Sequence, residues 1–321
     1  MSDVSIQSGV EPLTYKRRRQ TLLCIMAMFA ILAIAPLIIY PVFLMKVLCF
    51  AIFAGAFNLL IGYVGLLSFG HALFFGFASY VSAYSLKNMG ITPELAIISG
   101  TAIAAVLGLI TGLIAIRRQG IYFAMITLAI AQMMYLFALQ APFTGGEDGI
   151  QAVPRGYFFG LIDLNNMWNL YFFVLAIFSG SFLAIFRIVH SPFGEVLRAI
   201  RENETRAESL GFDVNRYKLG AFVISAAFAG VAGSTKAIVF QLASLADVHW
   251  SMSGEVVLMT LVGGMGTMLG PVAGAFVVVA MQNYLASTGH WVTVIQGLIF
   301  MSCVMIFRRG IVGEIEARIR K

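Results

Sequence analysis

The residues able to do chemistry in this chain are few, and they sit inside apolar runs. Asn58, Ser68, His71, Thr127, Gln132, Ser225, Lys236, Glu255 and Gln282 all fall in or near stretches that are otherwise hydrophobic. Leaving such groups unpaired in an apolar setting is costly, so they must face one another, a cavity or the protein interior. Side chains of this kind can line a polar path for a solute, or they can bond one helix to the next. Asn58, Ser68, His71, Thr127 and Gln132 are the candidates for a path, and both readings stay open for them. A continuous row of acidic or His residues is missing, which argues against a proton relay. Cys24, Cys49 and Cys303 are widely spaced in apolar runs and read as core residues. The four histidines are scattered, so no metal site and no nucleophile–base pair is expected. No G-x-x-x-x-G-K-[ST] phosphate loop occurs. The chain is therefore expected to bind no cofactor itself.

The elements that must position these groups follow from composition. Of 321 residues, 60% are hydrophobic and 11% charged, and the mean hydropathy is +0.90. Soluble domains carry about 25% charge, so a free enzyme or a nucleic-acid binder is excluded. Glycine is abundant, at 32 residues, which suits helices packed closely in a bilayer. Runs of about 20 apolar residues mark spans. They cover 22–40, 42–61, 65–86, 96–116, 121–139, 170–189, 219–242 and 292–307. The first is followed by further spans and no small-residue cleavage site, so it does not read as a signal peptide. These runs predict an all-α, polytopic transmembrane bundle of about eight to ten helices. Its limits are a polar head 1–21, a membrane domain 22–307 and a tail 308–321.

Charge placement gives an orientation. Of the 21 Lys and Arg residues, 17 lie in the head, at Arg117-Arg118, in 187–218 or in the tail. The positive-inside rule then places both termini in the cytoplasm and the loop 140–167 outside. Trp168, Trp250 and Trp291 fall near the expected outer ends of spans, as an interfacial belt requires. With seven spans before Asp247, the segment 255–283 must return to the side it entered from. Gly263, Gly264, Gly266, Gly270 and Gly274 cluster in it and predict an interrupted or re-entrant element facing the interior. Gly62-Tyr63-Val64-Gly65 and Ser68-Phe69-Gly70-His71 read as a second broken region.

Residues 190–218 form the longest charged segment. Ser191-Pro192 is a helix start, with Ser as cap and Pro in the first turn. Phe193, Val196, Leu197 and Ile200 recur at helical spacing, and Ala207 and Leu210 extend the stripe. Gly211 suits a left-handed helix end. The pattern predicts a short amphipathic helix or two short turns, either an ordinary surface-lying loop or a helix that docks a partner.

Several stretches carry a more specific signal. They are NLLIGYVGLLSFGHALFFGFASYVSAY at 58–84, RRQGIYFAMITLAIAQMMY at 117–135, TGGEDGI at 144–150, GEVLRAIRENETRAESLGFDVNRYKLGAFVISAAFAGVAG at 194–233 and LVGGMGTMLGPVAGA at 261–275. In this order they resemble the permeases of branched-chain amino acid ABC importers, and the M-type subunit more than its H-type partner. The resemblance implies a bacterial inner-membrane permease working by alternating access. It also implies a second permease, two cytoplasmic ATPase subunits that hold ATP and Mg, and a periplasmic binding protein. The cargo would be leucine, isoleucine and valine, or urea, amides and other small solutes. Within 190–218 the family's coupling helix would fall on Glu195 to Gly211, with Arg198, Arg201, Glu202, Glu204 and Glu208 facing the ATPase. The competing readings are a stand-alone secondary transporter or channel.

Overall fold

A computed structural model describes residues 25–285, 291–306 and 310–319. Its helices follow the apolar runs. α1 is Ile25–Leu37, α2 Pro41–Tyr63, α3 His71–Asn88, α4 Pro93–Ala115 and α5 Ile121–Gln140. α6 is Met167–Val189, α7 Pro192–Glu202, α8 Glu204–Ser209 and α9 Val214–Phe240. α10 is Trp250–Gly263, α11 Gly270–Leu285, α12 Trp291–Ile306 and α13 Gly310–Ile319. Five of these, α2, α4, α5, α6 and α9, are long and apolar enough to cross a bilayer. The chain is thus a polytopic α-helical membrane protein, with its interrupted element between α10 and α11. The head cluster Lys16–Arg19, Cys24 and Arg308-Arg309 lie outside the described residues.

Proline sets several boundaries, opening α2 at Pro41, α4 at Pro93 and α7 at Pro192. There its missing N–H costs nothing and its fixed φ is already helical. Burial then sorts the helices. The span window of α2 is 83% buried, against 28% for α4 and α5, so α2 is the central post and α4 and α5 face outward. An apolar helix buried on all sides belongs in the middle of a bundle. Phe53 on α2 stacks on Phe75 of α3 at 4.6 Å between ring centres, and α9 closes the other side through small residues. At Gly233 of α9 a Cβ would stand 1.9 Å from the Phe75 carbonyl oxygen. Only glycine permits that approach.

Four two-residue strands tie the loops at the end of the bundle away from α7. β1 Ile150–Gln151 pairs antiparallel with β4 Leu242–Ala243, and β2 Tyr157–Phe158 with β3 Ile162–Asp163. The second pair is the hairpin within 140–167. After β4 the chain turns inward: Asp247 and Val248 pack against Gly76, in the second turn of α3. Ser253 Oγ then accepts a bond from Ala72 N at the start of α3, 2.9 Å away. α10 therefore begins inside the bundle rather than at its rim. Trp250, 45% exposed, opens α10 there. Within the tail, α13 lies against α10, with Gly310 packed on Gly263 and Gly264.

Candidate functional site

The interrupted element is a helical hairpin whose arms touch backbone to backbone. A Cβ at Gly263 would stand 1.9 Å from the Gly270 carbonyl oxygen, and one at Gly274 1.8 Å from that of Met259. The turn needs positive φ at Gly264 and Gly266, +119° and +75°, a region that disfavours side chains. Thr267 Oγ1 donates to Gly264 O at 2.8 Å and accepts from Gly270 N at 3.1 Å. Asn58, near the end of α2, then ties the turn to the central post. Its Nδ2 donates to Thr267 O at 3.0 Å and its Oδ1 accepts from Gly266 N at 2.9 Å. Both ends of this carboxamide are used on backbone groups that the broken helix leaves unpaired. Asn58→Leu is expected to strand those groups at a cost of about 1–3 kcal/mol. A lowered thermal midpoint of the detergent-solubilised protein would register this loss, and an unchanged midpoint would refute the staple.

The second break, residues 64–70, is held by polar residues expected from the sequence. Ser68 Oγ accepts from Gly70 N at 3.2 Å. Thr127 of α5 donates to Ala124 O at 2.9 Å and accepts from Phe69 N at 3.2 Å. His71 is fully buried, ringed edge-on by Phe57, Phe74 and Phe222. Its Nε2 lies 2.8 Å from Ser225 Oγ, which donates its one proton to Ala56 O at 2.5 Å. Nε2 must therefore carry the ring's N–H and donate, leaving Nδ1 as an acceptor without a partner among the described residues. Gln132 is half-buried on α5. An apolar cavity of about 470 Å³ lies between the break and α5, lined by Gly65, Leu66, Leu67, Phe69, Ile121 and Ala124 among others.

A further polar cluster lies toward the other end. Lys236 Nζ contacts both oxygens of Asp247, at 2.8 and 2.6 Å, with the two side chains 12% and 4% exposed. Asp247 also accepts from Ser244 N at 3.2 Å. Gln282 Nε2 donates to Glu255 at 2.9 Å, and Lys46 lies within electrostatic reach of Glu255 and Lys236. Lys236, Glu255 and Gln282 stand out in the sequence as polar groups in or near apolar runs, and Asp247 does not. The signal for it was the spacing Ser244-x-x-Asp247, a capping box.

On the opposite side, α7 and α8 form the two short turns. Ser191 Oγ caps α7 at Gly194 N, and Asn203 Oδ1 caps α8 at Arg206 N. Leu197 and Ile200 face inward and Phe193 stacks on Tyr217 of α9 at 5.6 Å. Ala207 joins Ile200 and Val214 in a small core. Leu210 leaves the expected stripe and is 68% exposed, because α8 ends at Ser209 and Gly211 turns the chain at φ +90°. Glu204 reaches the buried Lys218 at 2.7 Å and pins α8 to α9. Glu195 pairs with Arg198 at 3.0 Å, and Arg198 lies over the Tyr63 ring at 5.5 Å. Arg201 donates to the Gly62 carbonyl beside Gly266. Gly62, Tyr63, Arg198, Arg201, Gly266 and the exposed Glu202 line a cavity of about 400 Å³; Glu208 is exposed on α8. Among the described residues no group of three or more His, Cys, Asp or Glu side chains could hold a metal.

A bundle of spans with two broken helices, one stapled to its central post and touching an amphipathic surface helix, defines a polytopic helical membrane protein. The chain belongs to the family described as branched-chain amino acid transport system / permease component, which matches residues 39–307. It is 27% identical over 274 residues to the high-affinity branched-chain amino acid transport system permease protein LivM of Escherichia coli, covering 78% of this chain and 64% of that relative. It is also 25% identical over 260 residues to a probable branched-chain amino acid transport permease protein LivH of Methanocaldococcus jannaschii, covering 73% of this chain and 79% of the relative. Against the probable LivM of the same organism it is 28% identical over 200 residues, 60% of this chain and 55% of the relative. Both subunit types are thus matched. The chain spans about 64% of the length of the first of these relatives. No solved structure matches it.

Proposed function

We propose that this chain is the permease subunit of an ATP-driven importer for branched-chain amino acids or closely related small solutes. The observation that carries this reading is the contact of Arg201 on α7 with the Gly62 carbonyl, next to Gly266 of the other break. Movement of α7 would reach both broken helices through one guanidinium. In this reading α7 and α8, residues Glu195 to Gly211, dock on a cytoplasmic ATPase, with exposed Glu202, Glu208 and Leu210 at the contact. ATP and Mg are held by two such partners, and a second permease and an external binding protein complete the complex. Gathering of basic residues near α7 supports a cytoplasmic placement for that side and both termini, in a bacterial inner membrane. The M-type assignment rests on RRQGIYFAMITLA and TGGEDGI.

Alternating access would work by tilting the α10–α11 hairpin against α2, with Asn58 as the hinge staple. Ser68, His71, Thr127 and Gln132 would line or brace the passage. The apolar cavity beside Leu66, Phe69 and Ile121 suits a branched aliphatic side chain. Reconstitution of the full complex tests the reading: uptake of labelled leucine, isoleucine or valine should require ATP and the ATPase subunits. Uptake that persists without them would point to a secondary transporter or channel. Within that assay, Arg201→Ala should cut solute moved per ATP by about tenfold, the worth of one charge-assisted hydrogen bond of about 1.5 kcal/mol. Unchanged coupling would remove α7 from the transmission path.

A further inference from the structure

The tail helix α13 is seated on the hairpin that alternating access would set in motion. It packs on both arms, α10 and α11, and among the described residues meets no other element to the same extent. Its closest approach is backbone to backbone, at the turn. A Cβ at Gly310 would stand 2.5 Å from Gly264 N and 2.9 Å from Gly263 C. Gly310 also holds φ at +73°, so both the space and the backbone call for glycine there. The same turn is held from other sides at the neighbouring Gly266. Asn58 of α2 accepts from its N–H at 2.9 Å, and a Cβ there would stand 3.4 Å from Arg201 Nη1 of α7.

The seat of α13 is one of shape alone. Among the described residues no hydrogen bond or ion pair fastens α13 to the hairpin. A gap of about 0.5–1 Å already forfeits a quarter to a half of such contact energy. The seat therefore fits one position of the turn and is lost when the turn shifts. With 10 residues, α13 is also shorter than the about 12–15 that hold a helix by themselves in water. Its order depends on being docked.

We propose that α13 is a latch on the interrupted helix. Seated on Gly263 and Gly264, it holds the α10–α11 hairpin in the tilt described here, and it lifts when the hairpin moves. The latch rests on the permease reading and adds a control element to it. A contact made in one state alone biases the equilibrium toward that state by its whole free energy. Without the latch, α7 should move the turn against a smaller load.

Two variants unseat α13 by different means. Deleting residues 310–321 removes it, and Gly310→Val drives a side chain into the Gly264 backbone. Gly297→Ala on α12, with nothing within 4 Å of the new atom, is the control. In the chain held in detergent, hydrogen exchange of the amides at 264–270 should rise about fivefold in both variants, the lower end of typical coupling between sites. In the reconstituted complex, ATP hydrolysis without solute or binding protein should rise by a similar factor. The control should leave both unchanged. Unchanged exchange in the two variants would overturn the proposal, because α13 would then not hold the turn. Raised exchange with unchanged hydrolysis would also overturn it, leaving α13 a packing element with no hold on the motion. Uptake by the unaltered complex without ATP would overturn the permease reading instead, and exchange would still decide whether α13 holds the turn.

Discussion

Asp247→Ala should be among the most damaging single changes in this protein. It leaves Lys236, 12% exposed, without its carboxylate, and it removes the acceptor that holds Ser244 N. Breaking a buried pair by removing one partner costs about 3–5 kcal/mol, because the remaining charge keeps its desolvation penalty and loses its attraction. The loop that carries Asp247 packs on Gly76 of α3 and leads directly into α10. Its loss should therefore loosen the start of the interrupted element. Thermal unfolding of the detergent-solubilised chain measures the effect. The double variant Lys236→Met with Asp247→Leu should recover most of the stability, since apolar replacement of a whole buried pair is often neutral or better. If the single and double variants unfold alike, the ion pair is not what holds this loop.

Gly274→Ala carries the second large effect. The added Cβ would fall 1.8 Å from the Met259 carbonyl oxygen. A backbone atom cannot rotate aside as a side chain can, so the two arms of the hairpin must separate. Overpacking of this kind costs about 1–3 kcal/mol, and here it also displaces the turn that Asn58 holds. Gly180→Ala is the matched control: it lies on α6 with nothing within 4 Å of the new atom. There the gain in helix propensity should stabilise by about 0.5–1 kcal/mol. Size-exclusion profiles and thermal midpoints of the two variants should diverge in opposite directions. Two similar midpoints would mean that close approach at Gly274 does not matter.

The positions of the helices were legible because hydropathy is a sum over a local run. The runs at 96–116 and 121–139 became α4 and α5 with ends moved by a few residues. The break around Gly263 to Gly270 was legible for the same reason, since glycines in an apolar run mark where helix geometry fails or backbones touch. Ser191-Pro192 marked the start of α7 through its capping chemistry. Leu210 leaves the stripe because α8 ends at Ser209 and Gly211 turns the chain, an end that helical periodicity does not register, whereas Ala207 on α8 keeps its place in the core.

The pairings were not legible. Asn58 and Thr267 are more than two hundred residues apart in the chain, and no spacing rule joins them. The same holds for Lys236, whose neutralisation depends on a loop turning back into the bundle. Sequence alone determined that the chain is a membrane bundle, where its apolar segments lie and which residues are polar within them. The tertiary structure decided that α10 starts beside the first turns of α3, that the tail helix α13 packs on the break and that Asn58, Ser68 and Thr127 bond the broken segments. The physical reason is that burial is selected segment by segment, through transfer free energies that add locally. Hydrogen bonds and ion pairs exist only between groups that the complete packing brings within about 3 Å.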